Sequence, residues 1–313
     1  MKKYWILLFS FPLFSLAPFQ SLLYSKELNK LQCGFTCHTN KKALHRKIKY
    51  QSECTQCHSS DDVSILAISN VEKKSPSAVQ KPKGMGNKDM VLIPAGEFIM
   101  GSNDRWDDEN PEFISKTSAY LIDIHEVTNS QYKKFVDETR YPSPVFWDGD
   151  EIPKGLEDHP VTYVSWNEAS SFCRWSGKRL PAEAEWEKAA RGEMGRTFPW
   201  GNEFNPSKSN SPESGNKGTR PVRSYESGKS PYGIYDMAGN VWEWTSSWYQ
   251  PHPGNNIPNP RYGKTNRVIK GGSWFDCLEY GCGLSALSYN RGAFVPSTRN
   301  NTIGFRCAKD IAK

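Results

Sequence analysis

Eight cysteines in 313 residues limit what this protein can be more than any other feature. Four crowd between residues 33 and 57. The second of each pair is followed directly by histidine, in Cys33-Gly34-Phe35-Thr36-Cys37-His38 and Cys54-Thr55-Gln56-Cys57-His58. The second run is C-x-x-C-H, the attachment signature of c-type haem: the thiols add to the two vinyl groups and the histidine becomes the proximal iron ligand. The first has one residue more and fits a looser variant of it. A four-cysteine zinc site, or two disulfides, are the other readings of this spacing. Histidine follows both pairs although the protein has six in all, and the segment is poor in Leu, Ile and Val, so something other than side chains must form its core. Both points favour haem c, in one or two copies. His45, between the motifs, is the candidate distal ligand, or else a solvated histidine on a basic helix. A second haem would use Met85, Met90 or a histidine further along, or keep an open position.

The first 25 residues fit this reading. Lys2-Lys3 precede an apolar run from Tyr4 to Ala17 that is broken by Pro12. It is too short and kinked for a comfortable membrane helix and reads as an export signal. Cleavage after Ser25 is expected. An uncleaved anchor is the alternative, and the only route to a membrane. Either way the rest of the protein faces an oxidising compartment, periplasmic or otherwise exported.

With 11 Trp, 14 Tyr and 15 Phe the protein has the means to build a sizeable core, which excludes a disordered polypeptide. With 24 Gly and 21 Pro it is loop-rich rather than a helical bundle. Residues 26–90 carry 12 Lys/Arg against 6 Asp/Glu, whereas 91–313 carry 26 against 28. The basic front surrounds cysteines and has no motif of a nucleic-acid fold, so no nucleic-acid partner is expected.

The organisation is therefore a signal at 1–25, a cytochrome-like segment at 26–69, a Lys/Pro/Gly/Ser-rich tether at 70–89 and one large domain at 90–313. Val91–Pro94 and Phe98–Met100 read as a short strand pair around Ala95-Gly96. Thr128 caps a helix over Asn129–Thr139. Ser165 and Glu168 form a capping box for a second helix that ends at Gly177. Pro181 opens a third, which stops at Gly192. Beyond it lie short strands and long loops, which gives an α+β domain of low regular content.

Several runs in this domain form a recognisable series. They are Ile93-Pro94-Ala95-Gly96-Glu97-Phe98-Ile99-Met100-Gly101-Ser102, Asp123-Ile124-His125-Glu126-Val127-Thr128-Asn129, His159-Pro160-Val161 with Val164-Ser165-Trp166, and Gly177-Lys178-Arg179-Leu180-Pro181-Ala182-Glu183-Ala184-Glu185-Trp186-Glu187. Tyr235-Asp236-Met237-Ala238-Gly239-Asn240-Val241-Trp242-Glu243-Trp244, Gly271-Gly272-Ser273-Trp274 and Gly304-Phe305-Arg306 complete it. The series resembles the formylglycine-generating enzyme (sulfatase-modifying factor) family over about residues 90–310. That resemblance implies a C-type-lectin-like fold. The family also holds members of other activity, among them ergothioneine- and pyoverdine-pathway proteins.

The family's enzymes oxidise a cysteine in a C-x-P-x-R peptide to formylglycine with O2, on Cu(I) held by two cysteines five positions apart. Cys277 and Cys282 have that spacing, and paired thiolates are the soft ligands Cu(I) prefers. A helix would rotate them ~140° apart, so the pair needs a loop. The resemblance places Ser273 at the active pocket. Cys277 stands four residues after Ser273 where the family's enzymes have three, and Pro296-Ser297-Thr298-Arg299 stands where they carry Pro-Asp-Ser-Ser. A plain Cys277–Cys282 disulfide is the alternative. Cys173 and Cys307 occupy positions where some members form a disulfide. Asp236 and Glu243, with the carbonyls of Gly239 and Val241, match a family calcium site, the other reading being surface acids in a turn. A second such site would fall near Asn210-Ser211. Trp242, Trp244 and His125 are assigned to packing.

Two functions follow from these expectations. One is an O2-using oxidase acting on a protein or peptide cysteine and exchanging electrons with the haems. The other is a non-catalytic lectin-like module that docks the cytochrome segment or a redox partner. No nucleotide, dinucleotide or hydrolase motif is present.

Overall fold

The computed structural model describes residues 89–275 and 285–311. The expected signal, the expected cytochrome-like segment and most of the expected tether lie outside them. Among the described residues no helix is long and apolar enough to cross a membrane.

Among the described residues three α-helices form where local chemistry dictates. In α1 (Asn129–Thr139) the Thr128 hydroxyl accepts from the Gln131 N–H at 3.2 Å, and Gln131 Oε1 accepts from the Thr128 N–H at 3.0 Å. This capping box satisfies two of the N–H groups a helix start leaves open. In α2 (Trp166–Trp175) Ser165 and Glu168 reciprocate in the same way. Ala182 caps α3 (Glu183–Arg191), and Gly192 (φ +73°) follows its last residue. Pro181, expected inside this helix, lies just before the cap. Its carbonyl accepts from the Ser246 N–H at 2.8 Å, which ties it to a strand instead.

The strands of the described residues form three small sheets. β1 (Met90–Ile93), β4 (Tyr120–Asp123) and β9 (Ala308–Asp310) make one, in the order β1-β4-β9, all antiparallel. β2 (Gly96–Met100) and β3 (Phe113–Thr117) make a second. The third runs β7-β6-β5-β8, with β5 (Trp242–Trp248), β6 (Arg267–Lys270), β7 (Arg291–Phe294) and β8 (Ile303–Gly304); β5 and β8 are parallel. The expected pairing of the first two strands with each other is thus corrected: each finds another partner. Gly96 (φ +148°) turns the backbone from one sheet to the next. The buried Lys188 of α3 holds that corner by donating to Pro94 O (2.8 Å) and Gly96 O (3.0 Å).

The largest core packs Tyr132, Phe135, Phe172, Trp175 and Phe305 against Trp242 and Trp244 of β5. Burying such side chains is worth about 1.5–3 kcal/mol each. Cys173 and Cys307 are bonded inside this core and join α2 to the run into β9. A second core gathers Ile93, Tyr120, Ile122, Trp186, Ile234 and Met237. Trp242 and Trp244 of β5 are core residues, and His125 is packed with its Nδ1 2.6 Å from Glu126 O.

Candidate functional site

After β6 the backbone turns through Gly271 (φ +97°) and Gly272 (φ +73°). A Cβ on Gly271 would lie 2.9 Å from Trp186, and one on Gly272 2.5 Å from Ser285 O. Only glycine fits such approaches. The contact of Gly272 with Ser285 brings together the two stems that flank residues 276–284. Cys277 and Cys282 belong to that interval and lie outside the described residues.

The turn is stitched to the 236–241 run: Gly239 N–H donates to Gly271 O (2.7 Å) and Trp274 N–H to Asn240 O (3.0 Å). Ser273 is buried. Its hydroxyl accepts from the Phe275 N–H at 3.1 Å and donates to Phe275 O. It therefore shapes the stem leading to Cys277.

The 236–241 run also brings acids together. Asp236 and Glu243 meet Glu126, which comes from the turn before α1 and which sequence spacing did not connect with them. All three are buried around Arg306. Glu243 Oε2 accepts from Arg306 Nε (2.7 Å) and Trp186 Nε1 (2.8 Å), while Oε1 accepts from Arg306 Nη2 (2.7 Å). Asn240 Nδ2 donates to Glu126 Oε2 at 2.6 Å, and the Asp236 carboxylate accepts from the Arg223 N–H at 2.8 Å. Burial pushes the Glu126 carboxyl well above its ordinary value, and the charges of Asp236 and Glu243 add to that. Burial likewise pushes Asp236 up to about 6, against the pull of the Arg223 amide and Arg306. Glu126 and Arg306 stand within quoted motifs, but only the fold shows that they share one cluster.

Glu243 is matched by Arg306, and Glu126 and Asp236 are pushed towards their protonated forms, so a divalent cation here would have to displace protons from those two acids. Among the described residues no three His, Cys, Asp or Glu side chains form a metal-ligating group. A cation here would therefore draw on backbone oxygens such as Gly239 O and Val241 O beside a few carboxylate oxygens, a donor set that suits calcium. Asn210, the other expected calcium position, bridges to this run: its carbonyl accepts from the Asn240 N–H at 2.8 Å.

Arg299 pairs with Glu168 through two hydrogen bonds of 2.7 and 2.9 Å, so it secures the start of α2. The haem candidates Cys33, Cys37, His38, His45, Cys54, Cys57 and His58 lie outside the described residues.

A family model of the sulfatase-modifying factor enzyme 1-like domain matches residues 74–311. The formylglycine-generating enzyme of Mus musculus is 34% identical over 305 residues, covering 76% of this chain and 80% of that protein. The one from Streptomyces coelicolor is 32% identical over 311 residues, covering 79% and 97%. The inactive C-alpha-formylglycine-generating enzyme 2 of Mus musculus is 34% identical over 278 residues, covering 72% and 86%. Overall identity therefore does not separate active from inactive relatives. Among solved structures, PvdO from Pseudomonas aeruginosa matches with a TM-score of 0.58 at 26% identity, covering 76% of this chain and 100% of that one. Treponema denticola variable protein 1 also matches at 0.58, with 24% identity and coverage of 70% and 94%, which shows the fold alone.

Proposed function

The chain belongs to the sulfatase-modifying factor family, which includes the formylglycine-generating enzymes, and from that premise we propose that it is an exported, haem-tethered oxidase of protein cysteine. The observation that carries the reading is the Cys173–Cys307 bond. It takes up the other two cysteines of the large domain, so Cys277 and Cys282 have no third thiol there to pair with and can serve as a two-thiolate site. Their donor chemistry fits Cu(I), which would supply a soft centre for the substrate thiol and O2. Ser273 fixes the stem before Cys277, and the Gly272–Ser285 contact keeps the interval's ends together.

Converting a cysteine side chain to an aldehyde with O2 takes up two electrons and two protons and releases hydrogen sulfide and water. A haem carries one electron at a time, so two haems on residues 33–58 would match that demand. A disulfide buried in the core agrees with an exported protein. The acid cluster with the Gly239 and Val241 carbonyls would hold calcium as a structural cation, locking the turn that supports Gly271–Trp274.

The second reading is a binding module. The Arg299–Glu168 pair favours it, because it engages Arg299 in holding α2 at the stretch where the family's enzymes carry Pro-Asp-Ser-Ser. The test is to load the purified full-length protein with copper and incubate it with a C-x-P-x-R peptide under O2. Aldehyde is then sought by mass. Wild type should form it, and Cys277→Ala and Cys282→Ala should not. A wild type that binds no copper and leaves the peptide unchanged overturns the oxidase in favour of the module.

A further inference from the structure

Arg267 opens β6, and neither the fold nor the proposed oxidation uses its charge. Its guanidinium carbon lies 4.0 Å from the ring centre of Trp166 and 3.4 Å from that of Trp248. The strands build this stack. Arg267 is the register partner of Trp248 on β5 and of Phe294 on β7, so the three side chains share a face. A register shift between Trp244 and Trp248 accompanies the turn of that strand end. Trp166 is fixed by its indole N–H donating to Thr245 O (2.7 Å) and its backbone N–H to Pro296 O (3.0 Å).

The buried arginines elsewhere each face an acid: Arg291 faces Glu183, Arg306 faces Glu243 and Arg191 faces Glu187. Arg267 does not. Its Nη1 donates to Ser246 O at 2.6 Å, its Nε is buried with no acceptor, and no carboxylate pairs with it among the described residues. Burial lowers its basicity with nothing opposing it. An orphaned buried donor on a cation is costly, and an incoming acceptor relieves that cost. With rings stacked against the guanidinium, an acceptor must approach in its plane. That is the side-on geometry in which arginine grips a carboxylate with two parallel hydrogen bonds. Indole walls also shield such a bond from water and strengthen it.

We propose that Trp166, Arg267 and Trp248 form a carboxylate-binding subsite for an acidic peptide segment, through an Asp or Glu side chain or the peptide's own C-terminus. The side chain is partly exposed although its Nε is buried, so a peptide carboxylate would engage the accessible part of the guanidinium first and reach Nε as the indoles shift. The peptide needs no cysteine, and the subsite is independent of the oxidase reading.

The test uses the full-length protein labelled with 15N-arginine, with the Arg267 Nε–H resonance assigned by its absence in Arg267→Lys. Three blocked probes are titrated: Ac-Gly-Gly-Glu-Gly-Gly-NH2, its Gln counterpart, and Ac-Gly-Gly-Gly with a free C-terminus. The resonance should shift with the Glu peptide or the free C-terminus and stay in place with the Gln peptide; which of the first two acts identifies the source of the carboxylate. Affinity for the active probe should fall at least tenfold in Arg267→Gln and in Trp248→Ala. An unmoved resonance, equal binding of the Gln peptide, or a preference for inorganic phosphate overturns the proposal. Should either variant fail to fold, the wild-type shift alone decides. The peptide-oxidation assay is run separately, so failure of either leaves the other standing.

Discussion

The ammonium of Lys270 lies 2.9 Å from Glu187 Oε2, and neither side chain has any exposure. The pair bolts β6 to α3. Arg191 Nη1 approaches the other oxygen at 3.0 Å and the Gly101 N–H donates to it at 2.8 Å. Burial alone would push this carboxyl up. The charges of Lys270 and Arg191, with hydrogen bonds from Lys270 and Gly101, outweigh it and hold Glu187 at about 2.

That balance predicts a pH signature. The folded value lies below the ordinary 4.5, so the stabilisation is present above about pH 4.5 and is lost as pH falls towards 2. Glu187→Gln would leave Lys270 buried without a counter-charge, at a cost on the order of 3–5 kcal/mol near neutral pH. The gap to wild type should narrow below pH 4.5. Urea unfolding across that range measures it, and a gap that stays constant with pH removes the electrostatic role.

The disulfide carries a second expectation. Replacing both Cys173 and Cys307 by Ser should cost about 2–4 kcal/mol of stability. Non-reducing mass mapping of wild type should find this bond, with Cys277 and Cys282 alkylated as thiols. A Cys277–Cys282 bond in that map would take away the copper ligands.

How much the sequence disclosed depended on the range over which each feature is determined. The caps at Thr128 and Ser165 were legible because their partners lie three residues away and obey a local rule. That β1 and β2 take separate partners was not, because Lys188, far along the sequence, holds the corner between them. Asp236 and Glu243 were readable as a motif, yet Glu126 joins them from 114 residues before Asn240, through a hydrogen bond no spacing announces. The stack at Arg267 draws on three separate elements and left no trace in any one of them. Ser273 was placed by resemblance, and its partner Phe275 became visible only with the turn folded.

The cytochrome-like segment predicts a spectrum. On the haem proposal the purified protein should show a reduced c-type α-band that survives denaturation, since a thioether link would be covalent. Cys54→Ser with Cys57→Ser should remove the haem of the second motif. A sample with zinc and no such band sinks the haem reading.

Calcium should stabilise the large domain. At about a hundred times its dissociation constant the gain is about 2.7 kcal/mol. A melting transition that rises with added calcium, falls with chelator and ignores magnesium supports the site. A transition indifferent to all three removes it. The rise should be absent in Asp236→Asn.

The bond between Cys173 and Cys307 spans 134 positions of sequence, and β5, β6, β7, β8 and residues 276–284 all lie within the ring it closes. A protease that cuts the backbone once anywhere in that ring therefore releases nothing. The halves stay one covalent molecule, of unchanged mass but for a water, until a reductant opens the ring. A nick near Cys277 would pass unseen on a non-reducing gel.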